Sequence, residues 1–140
     1  MIAVDTSVMV ELLGDGPKAD AAGAAVRQGL GHDAVVVCEV VVSELVAGLG
    51  RSAEIIETLE ELGVAYSALE YRSALRAGEM QRRYNERRRL QRLVQPAPWR
   101  TVPDFLIGSH ALLQCQGLIT FDVGFYRDYF KGLKIVVPKG

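Results

Sequence analysis

Five short apolar runs recur along the chain: MIAV, DAVVVC, LGVAYSA, GLIT and LKIVV. They are rich in Val and Ile, bounded by Gly, Asp or Lys, and lack the apolar–polar alternation of a strand with one wet face. Such runs read as strands buried on both sides. The intervening segments are long enough for helices, so strand and helix alternate. That alternation requires right-handed crossovers and a parallel sheet covered on both faces. The expectation is an α/β fold in which a central parallel sheet of four to five strands is flanked by helices. At 140 residues the chain has the size of one domain, expected to span 1–140.

Local signals place the helices. Pro17 suits the first turn of PKADAAGAAVRQGL, the glycines closing EVVVSELVAGLG suit a C-terminal cap, and SAEIIETLEELG repeats apolar positions at helical spacing. SALEYRSALRAGEMQRRYNERRRLQRL is the longest expected helix. QPAPW interrupts it with two prolines, and VPDFLIGSHALLQCQG resumes with Pro103 in its first turn.

Composition removes several function classes. Hydrophobic residues at 49% and charged residues at 24% match folded proteins rather than disordered ones. No apolar stretch is long enough to span a membrane and the N-terminus lacks a signal-peptide pattern, so a cytoplasmic protein is expected. Cys38 and Cys115 sit in apolar surroundings without metal-ligand spacing, which points to buried free thiols. The net charge of −1 conceals a segregation. From Glu39 to Glu70 there are seven acids and one base; from Arg72 to Arg100 there are nine arginines against Glu79 and Glu86. The arginines read either as the solvated face of a long helix or as a surface for phosphates or an acidic partner.

Four acids stand at informative places. In an open parallel sheet, sites form outside the carboxyl ends of the strands. Asp5 ends the first apolar run and Asp122 follows GLIT. Glu44 lies in VVVSELVAG, directly after the second run, and Asp104 lies in the first turn after the proline-rich break. Asp5, Asp104 and Asp122 could each cap a helix or answer its dipole. Glu44 fits that explanation poorly, because its helix is otherwise Val, Leu and Ala, and a buried unpaired carboxylate is costly. Together the four imply a cleft that a hard divalent cation would neutralise. A carboxylate cluster beside an arginine-rich surface suits metal-assisted attack on a phosphodiester.

MIAVDTSVMV, VVVSELVAG, VPDFLIGSHAL and LITFDVGFY fall in the order and spacing of the PIN-domain nucleases, and the length and Arg-rich centre resemble the VapC-type toxins of toxin–antitoxin modules. The resemblance covers nearly the whole chain. It implies a single PIN-like domain acting as an endoribonuclease dependent on Mg²⁺ or Mn²⁺, with Asp5, Glu44, Asp104 and Asp122 as metal ligands and Ser7 as the hydroxyl beside the first of them. Thr120 and Ser43 match supporting positions less closely. Cleavage would leave a 5′-phosphate and a 3′-hydroxyl. The implied partners are an RNA substrate, a cognate antitoxin and a second copy in a homodimer. The chain departs from the family at Gly124, where many members carry a further acid.

Arg87, Arg88, Arg89, Trp99 and Arg100 are the expected RNA-contacting residues. Tyr126, Tyr129 and Phe130 follow helical spacing and read most simply as core, and His32 and His110 are left out of the site. Thr6 or Ser7 is expected to cap the helix after Asp5. A different class of function also fits: a non-catalytic α/β binding module whose acids hold a structural ion and whose arginines bind a partner.

Overall fold

The computed structural model describes residues 1–91 and 100–139. In chain order its elements are β1 (Ile2–Val4), α1 (Thr6–Leu13), α2 (Ala19–Leu30), β2 (Val35–Val37), α3 (Glu39–Leu49), α4 (Ser52–Leu62), β3 (Ala65–Tyr66), α5 (Tyr71–Gln91), α6 (Val102–Gln114), β4 (Gly117–Ile119), α7 (Val123–Tyr129) and β5 (Ile135–Val136). The expected architecture is present. The five strands form one sheet in the order β3-β2-β1-β4-β5, and every pairing is parallel.

The interior strands account for the apolar runs. Every residue of β2 and β4 is buried, because helices cover both faces of the sheet. Ile2 pairs with Val35 on one side and Gly117 on the other, so β1 is the central strand. Its end, at Asp5, therefore opens at the middle of the sheet's carboxyl edge, between crossovers that run in opposite directions. The Asp5 N–H donates to the Ile119 carbonyl at 2.9 Å, which ties that end to β4.

The longest helix begins later than expected, at Tyr71 rather than Ser67. The four preceding residues have other partners. Ser67 N–H donates to the Val37 carbonyl, extending the β2–β3 ladder, while the amides of Leu69 and Glu70 donate to the side chains of Glu39 and Gln114. Gly63 ends α4 at φ 80°, a left-handed conformation that glycine adopts without strain. Helix α5 packs chiefly along α6. Among the described residues no helix is long and apolar enough to cross a membrane.

Candidate active site

Asp5 is 6% exposed and its carboxylate faces hydroxyls. Oδ2 accepts hydrogen bonds from Thr120 Oγ1 at 2.7 Å and Ser7 Oγ at 3.1 Å, and Oδ1 accepts from the Tyr126 hydroxyl at 3.4 Å. Thr120 Oγ1 also accepts the Asp122 N–H at 2.9 Å, so one threonine holds both strand ends. Burial pushes the Asp5 pKa upward against the pull of Thr120 and Ser7, and the negative charge of Asp104 adds to the rise.

Asp104 lies half-buried in the first turn of α6, where Oδ2 accepts the Thr101 N–H at 3.4 Å. Its pKa is also raised, first by burial and further by Asp122, while the Thr101 amide and Arg100 oppose the rise. Asp122 precedes α7 but does not cap it with its side chain. Both of its carboxylate oxygens instead accept from the Arg100 guanidinium, at 2.5 and 3.1 Å. That guanidinium lies 4.6 Å from the Phe125 ring centroid. Its backbone is held too: Arg100 N–H donates to the Tyr84 hydroxyl at 2.8 Å, and Gln81 Nε2 donates to the Arg100 carbonyl at 3.3 Å.

Three of the four expected acids thus form one electrostatic group. Tyr126 senses all of it: burial raises its pKa first, and the charges of Asp5, Asp104 and Asp122 raise it further. Glu44 is not among the charges that produce these shifts; it is tied to the first turn of α1, where Thr6 Oγ1 donates to Glu44 Oε1 at 2.7 Å. Helix α3 buries only Val41 and Leu45 fully, leaving Glu44 half-buried and Ser43 exposed. The expectation that this helix is enclosed on most sides is corrected, because one face of α3 covers the sheet and the opposite face meets solvent. Among the described residues, no three acid, histidine or cysteine side chains form a ready-made cation cage.

The division of labour after Asp5 also differs from expectation. Neither Thr6 nor Ser7 caps α1, whose N-cap residue is Asp5 without a side-chain cap bond. Thr6 serves Glu44 instead, and Ser7 serves Asp5 while accepting the Phe121 N–H at 3.4 Å. His110 is buried against Ser67 Oγ, 3.2 Å from Nε2, and burial lowers its pKa. Gly124 is exposed, and a Cβ there would meet only Arg127 Nη2, at 4.0 Å.

Of the expected RNA-contacting residues, Arg87 and Arg89 are exposed on α5, Arg88 is 8% exposed and faces inward, and Arg100 is engaged with Asp122. Trp99 lies outside the described residues. The participants missed by sequence reasoning are Tyr126 and the Arg100–Asp122 pair. Tyr126 carried only a helical aromatic signal, and nothing in the local sequence links Arg100 to an acid 22 positions away.

A sequence model described as PIN domain matches residues 2–131. No curated protein matches. Among solved structures, the chain resembles VapBC2 from Rickettsia felis bound to a DNA fragment from their promoter, with a TM-score of 0.73 at 16% identity over 99% of this chain and 100% of that one. It also resembles DNA-bound VapBC from Salmonella typhimurium, with a TM-score of 0.67 at 14% identity over 99% and 98% of the two chains. A third is Mycobacterium tuberculosis VapC20, a sarcin-ricin loop cleaving toxin, with a TM-score of 0.61 at 17% identity over 96% and 99%. At these identities the likeness is one of fold.

Proposed function

The chain belongs to the PIN domain family, and from that premise we propose that it is a divalent-metal-dependent endoribonuclease, the toxin of a toxin–antitoxin pair. The observation that carries this proposal is the coupling of Asp5, Asp104 and Asp122 at the carboxyl edge of the sheet, with two of them held above their ordinary pKa. Solved neighbours named as VapBC assemblies and as a sarcin-ricin loop cleaving toxin support the class of substrate and a protein partner.

The donor set fits a hard divalent ion such as Mg²⁺ or Mn²⁺, because every side chain on offer is a carboxylate or hydroxyl oxygen. A positive charge is already accommodated there, in the form of the Arg100 guanidinium. Asp5, Asp104 and Asp122 would hold the ion, with Glu44 the fourth acid at the rim. When bound, it supplies charge neutralisation at the phosphodiester and activation of water.

The chain's own residues do the positioning. Thr120 and Ser7 fix the rotamer of the Asp5 carboxylate, and Thr6 fixes that of Glu44. The Tyr126 hydroxyl, with its proton held firmly, presents a donor rather than a second negative charge to Asp5. Arg100 is placed to exchange Asp122 for a substrate phosphate, which offers the same bidentate geometry.

One observation favours the binding-module alternative: Arg100 neutralises Asp122 within the chain, leaving a partly balanced site. Asp104→Asn separates the two readings. It is expected to abolish RNA cleavage with folding intact, and wild-type cleavage is expected to stop in EDTA and return with Mg²⁺ or Mn²⁺ but not Ca²⁺. Cutting at the wild-type rate by Asp104→Asn, or by chelated protein, would sink the assignment of these aspartates as a metal site, and wild-type protein that cuts no RNA with Mg²⁺ or Mn²⁺ present would sink the nuclease reading.

A further inference from the structure

We propose that the cleft between α5 and α7 is a binding site for one nucleotide of a single-stranded RNA, lying beside the acidic site and separate from it. This rests on the ribonuclease reading. The cleft encloses about 390 Å³, at the small end of ligand pockets and too little for a duplex. Its rim carries Arg76, Arg83, Arg87 and Lys131, all exposed. Among the described residues none of these four is ion-paired with an acid. Among the described residues the single acid of the lining, Asp128, is paired with Arg127 at 3.3 Å.

The floor has a different character. Met80, Leu112 and Tyr129, all half-buried, form it above the buried Phe130. The Arg87 guanidinium sits 5.5 Å from the Tyr129 ring centroid. A basic rim over an aromatic and thioether floor is what a nucleotide needs, with guanidinium groups for the phosphate and a flat apolar surface for the base. An acidic peptide would use the rim and leave the floor unexplained.

Placement connects the cleft to the chemistry. Positions 76, 83 and 87 lie on one stripe of α5, spanning roughly 16 Å at the helical rise. Tyr84, one turn before Arg87 and Arg88, contacts Tyr129 and bonds to Arg100, the partner of Asp122. Tyr129 closes the helix that Asp122 opens, roughly 10 Å away along its axis. A strand with its scissile phosphate at the aspartates would lay a nearby nucleotide in this cleft.

The test uses the full chain carrying Asp104→Asn to prevent cutting, with and without Arg76→Ala and Arg83→Ala, and a short labelled single-stranded oligoribonucleotide titrated between about 50 and about 200 mM salt. Losing two phosphate contacts should weaken binding at least tenfold at low salt and make the log–log salt slope shallower by about 1.4. Arg76→Lys with Arg83→Lys should restore most of the slope, and duplex RNA should compete poorly. An unchanged slope with the alanine pair overturns the cleft. So does a loss confined to binding of an acidic protein partner, which would make this face a protein-docking surface. Wild-type protein that cleaves no RNA with Mg²⁺ or Mn²⁺ present would instead overturn the ribonuclease reading, so the two failures are distinguishable.

Discussion

Three hydroxyl groups converge on the Asp5 carboxylate, yet its pKa stands above the ordinary value because burial outweighs them. Asp104 is displaced in the same direction, also by burial. A carboxyl group whose pKa is higher folded than unfolded contributes stability that is fully present below the unfolded value, about 3.9, and is lost as pH rises through the folded value. Asp104→Asn should therefore raise the melting temperature of the metal-free protein more at neutral pH than at about pH 4, while His110, whose lowered pKa acts in the opposite sense, is common to both proteins; melting curves in EDTA check the difference. The Arg100–Asp122 pair gives a second expectation. Each partner is about one-third exposed, so Arg100→Gln should cost the metal-free protein no more than about 1 kcal/mol. The same substitution removes a competing cation and should tighten Mg²⁺ binding several-fold, as read by calorimetry. Unchanged Mg²⁺ affinity would show that Arg100 does not compete. Asp5, Asp104 and Asp122 were legible because strand ends and helix starts have sequence signatures. Arg100 and Tyr126 were not, since their acid partners lie 22 and 121 positions away and are brought near only by the completed sheet.

Helix α6 carries Asp104 at one end and meets the aromatic group of α7 along its length. Gly108 makes that approach possible: a Cβ there would stand 2.4 Å from Cζ of the buried Phe130 ring. Gly108→Ala should destabilise the fold by roughly 1–3 kcal/mol through overpacking, despite the better helix propensity of alanine. Denaturant titration should show a lower midpoint with the slope unchanged. All five strands coincide with apolar runs; burial on both faces accounts for this in β1, β2 and β4, whereas β3 at one edge is exposed and β5 at the other is half-buried. The start of α5 could not be read from the sequence, since Leu69 and Glu70 are drawn out of helical conformation by Glu39 and Gln114, 30 and 44 positions distant.

Across the whole molecule, charge is sorted by helix: Glu54, Glu57, Glu60 and Glu61 lie on α4, and the arginines cluster on α5. A partner that inserts a basic side chain among Asp5, Asp104 and Asp122 would meet unbalanced negative charge. If the proposed antitoxin is that partner, Asp104→Asn should speed its dissociation, which surface-captured complex would report; an unchanged off-rate would mean that it binds elsewhere. The sheet order that sets β1 at the centre has a consequence for synthesis. Asp5 waits for Thr120, 115 positions later, and translation at about 5–20 residues per second separates them by roughly 6–23 s. Until β4 leaves the ribosome, the central strand has one neighbour and the first aspartate has neither its threonine nor its tyrosine. On the ribonuclease reading proposed above, a nascent chain would thus be unable to attack the RNA around it, and a message broken before the β4 codons would yield an inert fragment.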